Sequence, residues 1–226
     1  MFLILYDSRL EKKINWYRDM YCGIKREKEN LNNMSEYYDA WAYTTSKHGI
    51  SADLLISAVQ KCIRRGKEDL AMRFAYELYA TSTFHEEKLW NRLLVIAVED
   101  IGFGDPNAMV IVNTLNQIRK EFPYGDGDRP IFFLYAIRYL CRCKKERSTD
   151  HIKNIIMKEN AKGEVPEIPE WTIDMHTNKG RFELGRDVFY FMNEASKVEP
   201  LWEDYDDTYF KQLYKMYEDE LKEDKE

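Results

Sequence analysis

The sequence predicts an all-α fold, a single helical domain of about eight to ten helices. Three observations carry that expectation. Only ten glycines and six prolines punctuate the 226 residues. Apolar residues recur at helical spacing in segment after segment, and period-2 alternation is scarce. Apolar residues make up 44% of the chain and aromatics 14%, enough for a sizeable core.

The elements follow in order. The first fifty residues are mixed and aromatic, and are assigned as an N-terminal helical extension, 1–50. In ISADLLISAVQKCIRRG, Leu54, Leu55, Ala58, Val59, Cys62 and Ile63 share one helix face, with Ser51 as cap and Gly66 as stop. The same spacing returns at Leu70, Ala71, Phe74, Ala75, Leu78 and Tyr79. A T-x-x-E capping box, Thr83 to Glu86, opens a third helix running to about Ile101. Gly102 and Gly104 suit a stop. Asp105 then caps a fourth helix with Pro106 at its first position, ending near Phe122. Arg129-Pro130 opens a fifth, IFFLYAIRYLCRC, apolar nearly all round and so expected to be buried. A short helix from about Asp150 to Lys158 leads into the connector KGEVPEIPEW. Two further helices are expected, at Lys179 to Lys197 and Asp206 to Lys222. The organisation is therefore an extension (1–50), a helical core (51–160) and C-terminal helices with an acidic tail (161–226).

Charge excludes some functions. The net charge is −6, which argues against a generic nucleic-acid binder. Glu199 to Glu226 alone carries −7, so the body is near neutral and free to hold a local basic patch. Four cysteines stand at 22, 62, 141 and 143, and C-x-C is not the spacing of a common zinc site. Reduced thiols in a cytoplasm are expected, rather than a disulfide scaffold. Only five apolar residues follow Met1 before Asp7, too few for a signal sequence or a membrane span. The expectation is a cytoplasmic protein with no membrane segment, metal or cofactor.

Three segments hold candidate sites. The first is LLVIAVEDIGFGDP, where Glu99 and Asp100 close a helix. Acids there oppose the helix dipole unless a cation compensates. Either the pair does metal or acid–base chemistry, or Lys61, Arg64 and Arg92 meet it as a structural ion-pair network. The second is WTIDMHTNKGRFELGRDVFYF. There His176, Lys179, Arg181 and Arg186 at the mouth of a helix offer a phosphate or nucleic-acid site. The alternatives are a self-bonded loop, in which Asp174 holds His176 and the arginines pair with nearby acids, and an enzyme using Asp174 and His176. The third is RYLCRCKKERS. Arg138, Arg142, Lys144, Lys145 and Arg147 face one acid, Glu146, as DNA contacts or as an ordinary cationic helix end. The histidines show no ligand spacing, and no hydrolase or protease signature occurs.

The blocks SAVQKCIRRGKEDLAMRF and WNRLLVIAVEDIGFGDPNAM resemble the C-terminal helical region of the replication-associated recombination ATPases of the RarA/MgsA type, which include the Werner-helicase-interacting ATPases. Ser57, Ala58, Lys61, Arg64, Asp69 and Ala71 fall on the first block of the family pattern. Arg92, Leu93, Ala97, Glu99, Asp100, Ile101, Gly102, Asp105, Pro106 and Ala108 fall on the second. Gly66 sits one place later than the family glycine, and Cys62 replaces a serine. The resemblance is followed over 57–109 and loosely to 145, and the tail beyond departs from it. It implies a collar-like domain of the kind that follows an AAA+ module and holds subunits together. It also implies a homo-oligomer, a tetramer in the family, and links to DNA and to single-stranded-DNA-binding protein. No G-x-x-x-x-G-K-[ST] occurs, so ATPase activity is not carried over. The expected function is a non-enzymatic oligomerisation or protein-interaction module of replication or repair. The alternative is a nucleic-acid-binding protein using His176 to Arg186.

Overall fold

The computed structural model describes residues 40–223. Most of the expected N-terminal extension, with Cys22, lies outside the described residues. Among them the named elements are all helical, and the strand-like pairing is a single isolated bridge, Thr45 to Ser51. The fold is all-α. The chain divides into two compact units at Arg147/Ser148. The helix assigned to the core's end from sequence therefore belongs to the second unit.

The first unit contains α1 (Ala52–Arg64), α2 (Glu68–Thr81), α3 (Thr83–Ile96), α4 (Ala108–Ile118) and α5 (Arg129–Arg142). α2 packs against α1, α3 and α5, and α4 packs against α3 and α5. Trp90, Phe133, Leu55, Ile63, Leu78, Leu89, Leu93, Ile96, Ile137 and Leu140 are fully buried between them. Each such side chain contributes about 1.5–3 kcal/mol by leaving water.

α1 buries Ala52, Leu55, Ile56, Val59 and Ile63, whereas Leu54 is exposed. Its inward face is thus rotated from the one read off the i, i+4 spacing, because Ala52 and Ile56 extend the stripe on the other edge. Gly66 ends α1 at φ 66°. The amide of Lys67 donates to Cys62 O at 2.8 Å and that of Gly66 to Ile63 O at 3.0 Å, closing the last turn.

α3 starts one residue earlier than the expected capping box. Ser82 is its cap and accepts from the His85 amide. Glu86 does not reach back to cap the helix; it is buried and paired with arginine. Arg129 donates to Glu86 through Nε (2.9 Å) and Nη2 (3.0 Å). Arg119 Nη1 lies 3.3 Å from the same carboxylate, and its Nη2 meets Glu87 at 2.6 Å. Arg119 is fully buried and stacked over Trp90. This two-arginine, two-glutamate cluster ties the ends of α4 and α5 to the start of α3.

The expected helix start at Asp105-Pro106 is corrected. Those residues form a turn, with the Ala108 amide on Asp105 O at 3.0 Å, and α4 begins at Ala108. α5 is also less buried than its composition suggested. Phe133, Ala136, Ile137, Leu140 and Cys141 face the core, but Ile131 and Tyr135 are 60% and 57% exposed.

The second unit contains α6 (Ser148–Ala161), α7 (Val188–Tyr190) and α8 (Thr208–Glu223). The helix expected from Lys179 to Lys197 is broken. A π-turn covers Lys179–Glu183, Gly185 adopts φ 59°, and the Asp187 carboxylate caps Tyr190 to open α7. α7 runs on into a second π-turn, Phe191–Ala195.

Candidate functional site

α3 does not stop at Ile96 but widens into a π-turn over Ala97–Ile101. The extra residue per turn brings Glu99 and Asp100 to the same side, with Asp100 fully buried. Asp100 Oδ1 accepts from Arg64 Nε at 2.6 Å and lies 3.1 Å from Arg147 Nε, while Oδ2 accepts from Gln60 at 3.0 Å. Glu99 Oε1 accepts from Gln60 (3.1 Å), Arg64 Nη2 (3.3 Å) and Arg147 Nη2 (3.3 Å). The acids at this helix end are thus compensated by two arginines from elsewhere in the chain.

This grouping differs from the sequence expectation in its members. Arg64, Glu99 and Asp100 meet. Arg92 enters only through Gln60, donating to Oε1 at 3.3 Å. Lys61 stands outside, donating instead to Ser57 at 2.8 Å. Gln60 and Arg147 were missed. Gln60 is one residue before a basic position, and a neutral amide leaves no charge signature. The sequence places Arg147 in a cationic helix end, yet α5 stops at Arg142 and Arg147 lies beyond it in irregular chain.

Two glycines let that chain approach. A Cβ on Gly102 would lie 2.6 Å from Glu146 O, and one on Gly104 2.5 Å from Lys144 O. The Glu146 amide donates to Asp100 O at 3.0 Å. The GFG of the motif therefore serves close backbone packing as well as a helix stop.

The other basic residues of RYLCRCKKERS have separate roles. Lys145 Nζ donates to the carbonyls of Leu140, Cys141 and Cys143, closing the C-terminal end of α5. Lys144 is exposed. Arg138 Nε and Arg142 Nε both donate to Glu68, at 2.6 and 3.1 Å. These two bonds, Arg138's first, hold the Glu68 carboxyl below its ordinary pKa. Beside them is a pocket of about 290 Å³, lined by Asp105, Tyr135, Arg138, Tyr139, Arg142 and Cys143. The Tyr139 hydroxyl and the Cys143 thiol both donate to Asp105. The Asp105 bond raises the Tyr139 pKa, and burial raises those of Cys141 and Cys143, which keeps both thiols protonated and poorly nucleophilic.

In the second unit, the 170–191 segment is built by its own polar groups. Asp174 accepts from the His176 amide at 2.9 Å and meets His176 Nδ1 at 3.0 Å. That contact with His176 lowers the Asp174 pKa. Arg186 donates to Glu170 O, Ile173 O and the Glu170 carboxylate, and lies 4.0 Å from the Tyr190 ring centroid. Arg181 Nε donates to Met175 O at 3.0 Å. Lys179 is exposed. Gly180 is where Asp174 O crosses: a Cβ there would lie 1.9 Å from it. His176 and Arg186 are thereby held apart in separate contacts rather than turned on a common point.

The class to which this all-helical chain belongs is that of the C-terminal domains of AAA+ ATPases. The chain belongs to the family described as MgsA AAA+ ATPase C terminal, whose model matches residues 81–226. The match continues through the tail that sequence reasoning had placed outside the resemblance. Among curated relatives, replication-associated recombination protein A of Bacillus subtilis (strain 168) is 29% identical over 160 residues. The alignment covers 71% of this chain and 37% of that protein, so the chain spans little more than a third of its relative. No helix among the described residues is long and apolar enough to cross a membrane.

Proposed function

We propose that the chain is a non-enzymatic assembly and protein-interaction module serving DNA replication or recombination. The observation that carries this reading is α6. This helix of 14 residues buries none of its side chains, yet Ile152, Ile155 and Ile156 stand on one face at i, i+3 and i+4, each about half exposed. A helix of that length is marginal in water and draws its stability from a packed apolar face. An exposed cluster of this kind marks an interaction surface. Membership in a C-terminal family of AAA+ ATPases and the name of the Bacillus relative supply the context of replication and recombination. Within the first unit, the Arg64–Asp100–Arg147 cluster acts as a register lock between α1, the π-turn and residues 143–147.

The test is sedimentation velocity on the wild type beside Ile152→Glu/Ile156→Glu. The wild type is expected to sediment as an oligomer and the variant as a folded monomer with unchanged helix content. Identical sedimentation of the two would reject α6 as the assembly face.

A further inference from the structure

We propose that the pocket on the exposed face of α5 binds a nucleotide unit, with its phosphate on Arg138 and Arg142 and its base against Tyr135. This goes beyond the assembly reading and uses none of the α6 residues. The three side chains lie at i, i+3 and i+7 and so share one stripe of the helix. All are accessible: Tyr135 is 57% exposed, and the side chains of Arg138 and Arg142 are 52% and 65% exposed.

Glu68 arranges the arginines without using them up. Its carboxylate takes Nε of both and one Nη of Arg142. The remaining terminal N–H groups make no hydrogen bond among the described residues. Two planar forks drawn to one carboxylate are thus held side by side, and guanidinium forks match phosphate geometry. The wall is equally fixed. Tyr139 is anchored through its hydroxyl to Asp105, and that carboxylate also accepts from the Asn107 amide at 3.1 Å. Its oxygens are therefore engaged by neutral donors before a ligand arrives, and these donors hold the carboxyl below its ordinary pKa, Tyr139's bond first.

The volume of about 290 Å³ is at the small end for ligand pockets, suiting one nucleotide unit. An exposed tyrosine beside arginines is the pairing by which bases stack while phosphates bind. An acidic peptide would satisfy the arginines but leave Tyr135 without a planar partner. The phosphate and base can come from a free nucleotide or from a single strand.

The experiment uses the full chain and fluorescence anisotropy with a labelled thymidine oligonucleotide of about 15 nucleotides, within the span one binding unit covers. Binding is expected at low salt and weakens as salt rises. Arg138→Gln/Arg142→Gln should flatten the slope of log K against log salt by about 1.4, from two contacts at about 0.7 each. Tyr135→Ser should weaken binding roughly tenfold and leave the slope unchanged. Thymidine monophosphate competing as well as the strand would identify a free-nucleotide site, and competition by the strand alone a strand site. Either supports the pocket. Thermal unfolding checks that the variants are folded, and Lys162→Ala, in the other unit, should bind like wild type. Folded pocket variants that bind like wild type would overturn the proposal. So would a poly-glutamate peptide that binds where the oligonucleotide does not.

Discussion

Replacing Asp100 by alanine removes the carboxylate on which Arg64 and Arg147 converge. Asp100 is fully buried, while the two arginine side chains are only 29% and 30% exposed. Breaking one side of such a pair costs about 3–5 kcal/mol, because the partner charges stay partly desolvated without compensation. Glu99 retains contacts to both arginines, which places the loss near the lower end, about 3 kcal/mol. Urea unfolding of the first unit, followed through the buried Trp90, reads this directly. With a denaturant slope of roughly 1–3 kcal/mol per molar, the midpoint should fall by about 1–3 M. Lys61→Ala, outside the cluster, should leave the midpoint in place. An Asp100→Ala midpoint within about 0.3 M of wild type would refute the lock, because no buried pair of this kind is so weak.

Glu86→Ala should cost about 3–5 kcal/mol in the same assay, since it leaves Arg119 and Arg129 buried without their shared carboxylate. Gly104→Ala should destabilise the first unit by more than about 1 kcal/mol, as its Cβ meets the Lys144 carbonyl, whereas Gly127→Ala should be neutral in open space. Gly180→Ala should open the 170–191 loop to limited proteolysis while leaving the Trp90 transition unchanged. Burial lowers the His85 pKa, so the unfolded chain binds more protons than the folded one just below about pH 6.5. His85 therefore contributes stability that is present above that pH and lost below it. The Tm of the wild type should fall more steeply than that of His85→Gln between about pH 6.5 and 5.

Helix content was legible because the apolar spacing is regular, and the stop at Gly66 because only a residue tolerant of positive φ closes that turn. The rotated face of α1 was not, since Leu54 and Ile56 are equally apolar and tertiary contact alone selects between them. Glu86 had a local explanation as a capping residue. Its real partners lie 33 and 43 residues away, beyond the reach of any spacing rule. The Glu99–Asp100 pair advertised itself by its unfavourable position at a helix end, and Arg64 was found by its basic neighbourhood. Arg147 was hidden because the irregular stretch after α5 continues the basic run of the helix end. The break at Gly185 was hidden too, because the apolar pattern on its two sides stays in helical phase.

The proposed function requires copies of this chain to assemble. Light scattering on a sizing column, over a range of protein concentrations, tests it most directly. The expected result is a stable mass at a multiple of the chain's 27.1 kDa, four-fold if the family pattern holds. A mass of one chain at every concentration would contradict it.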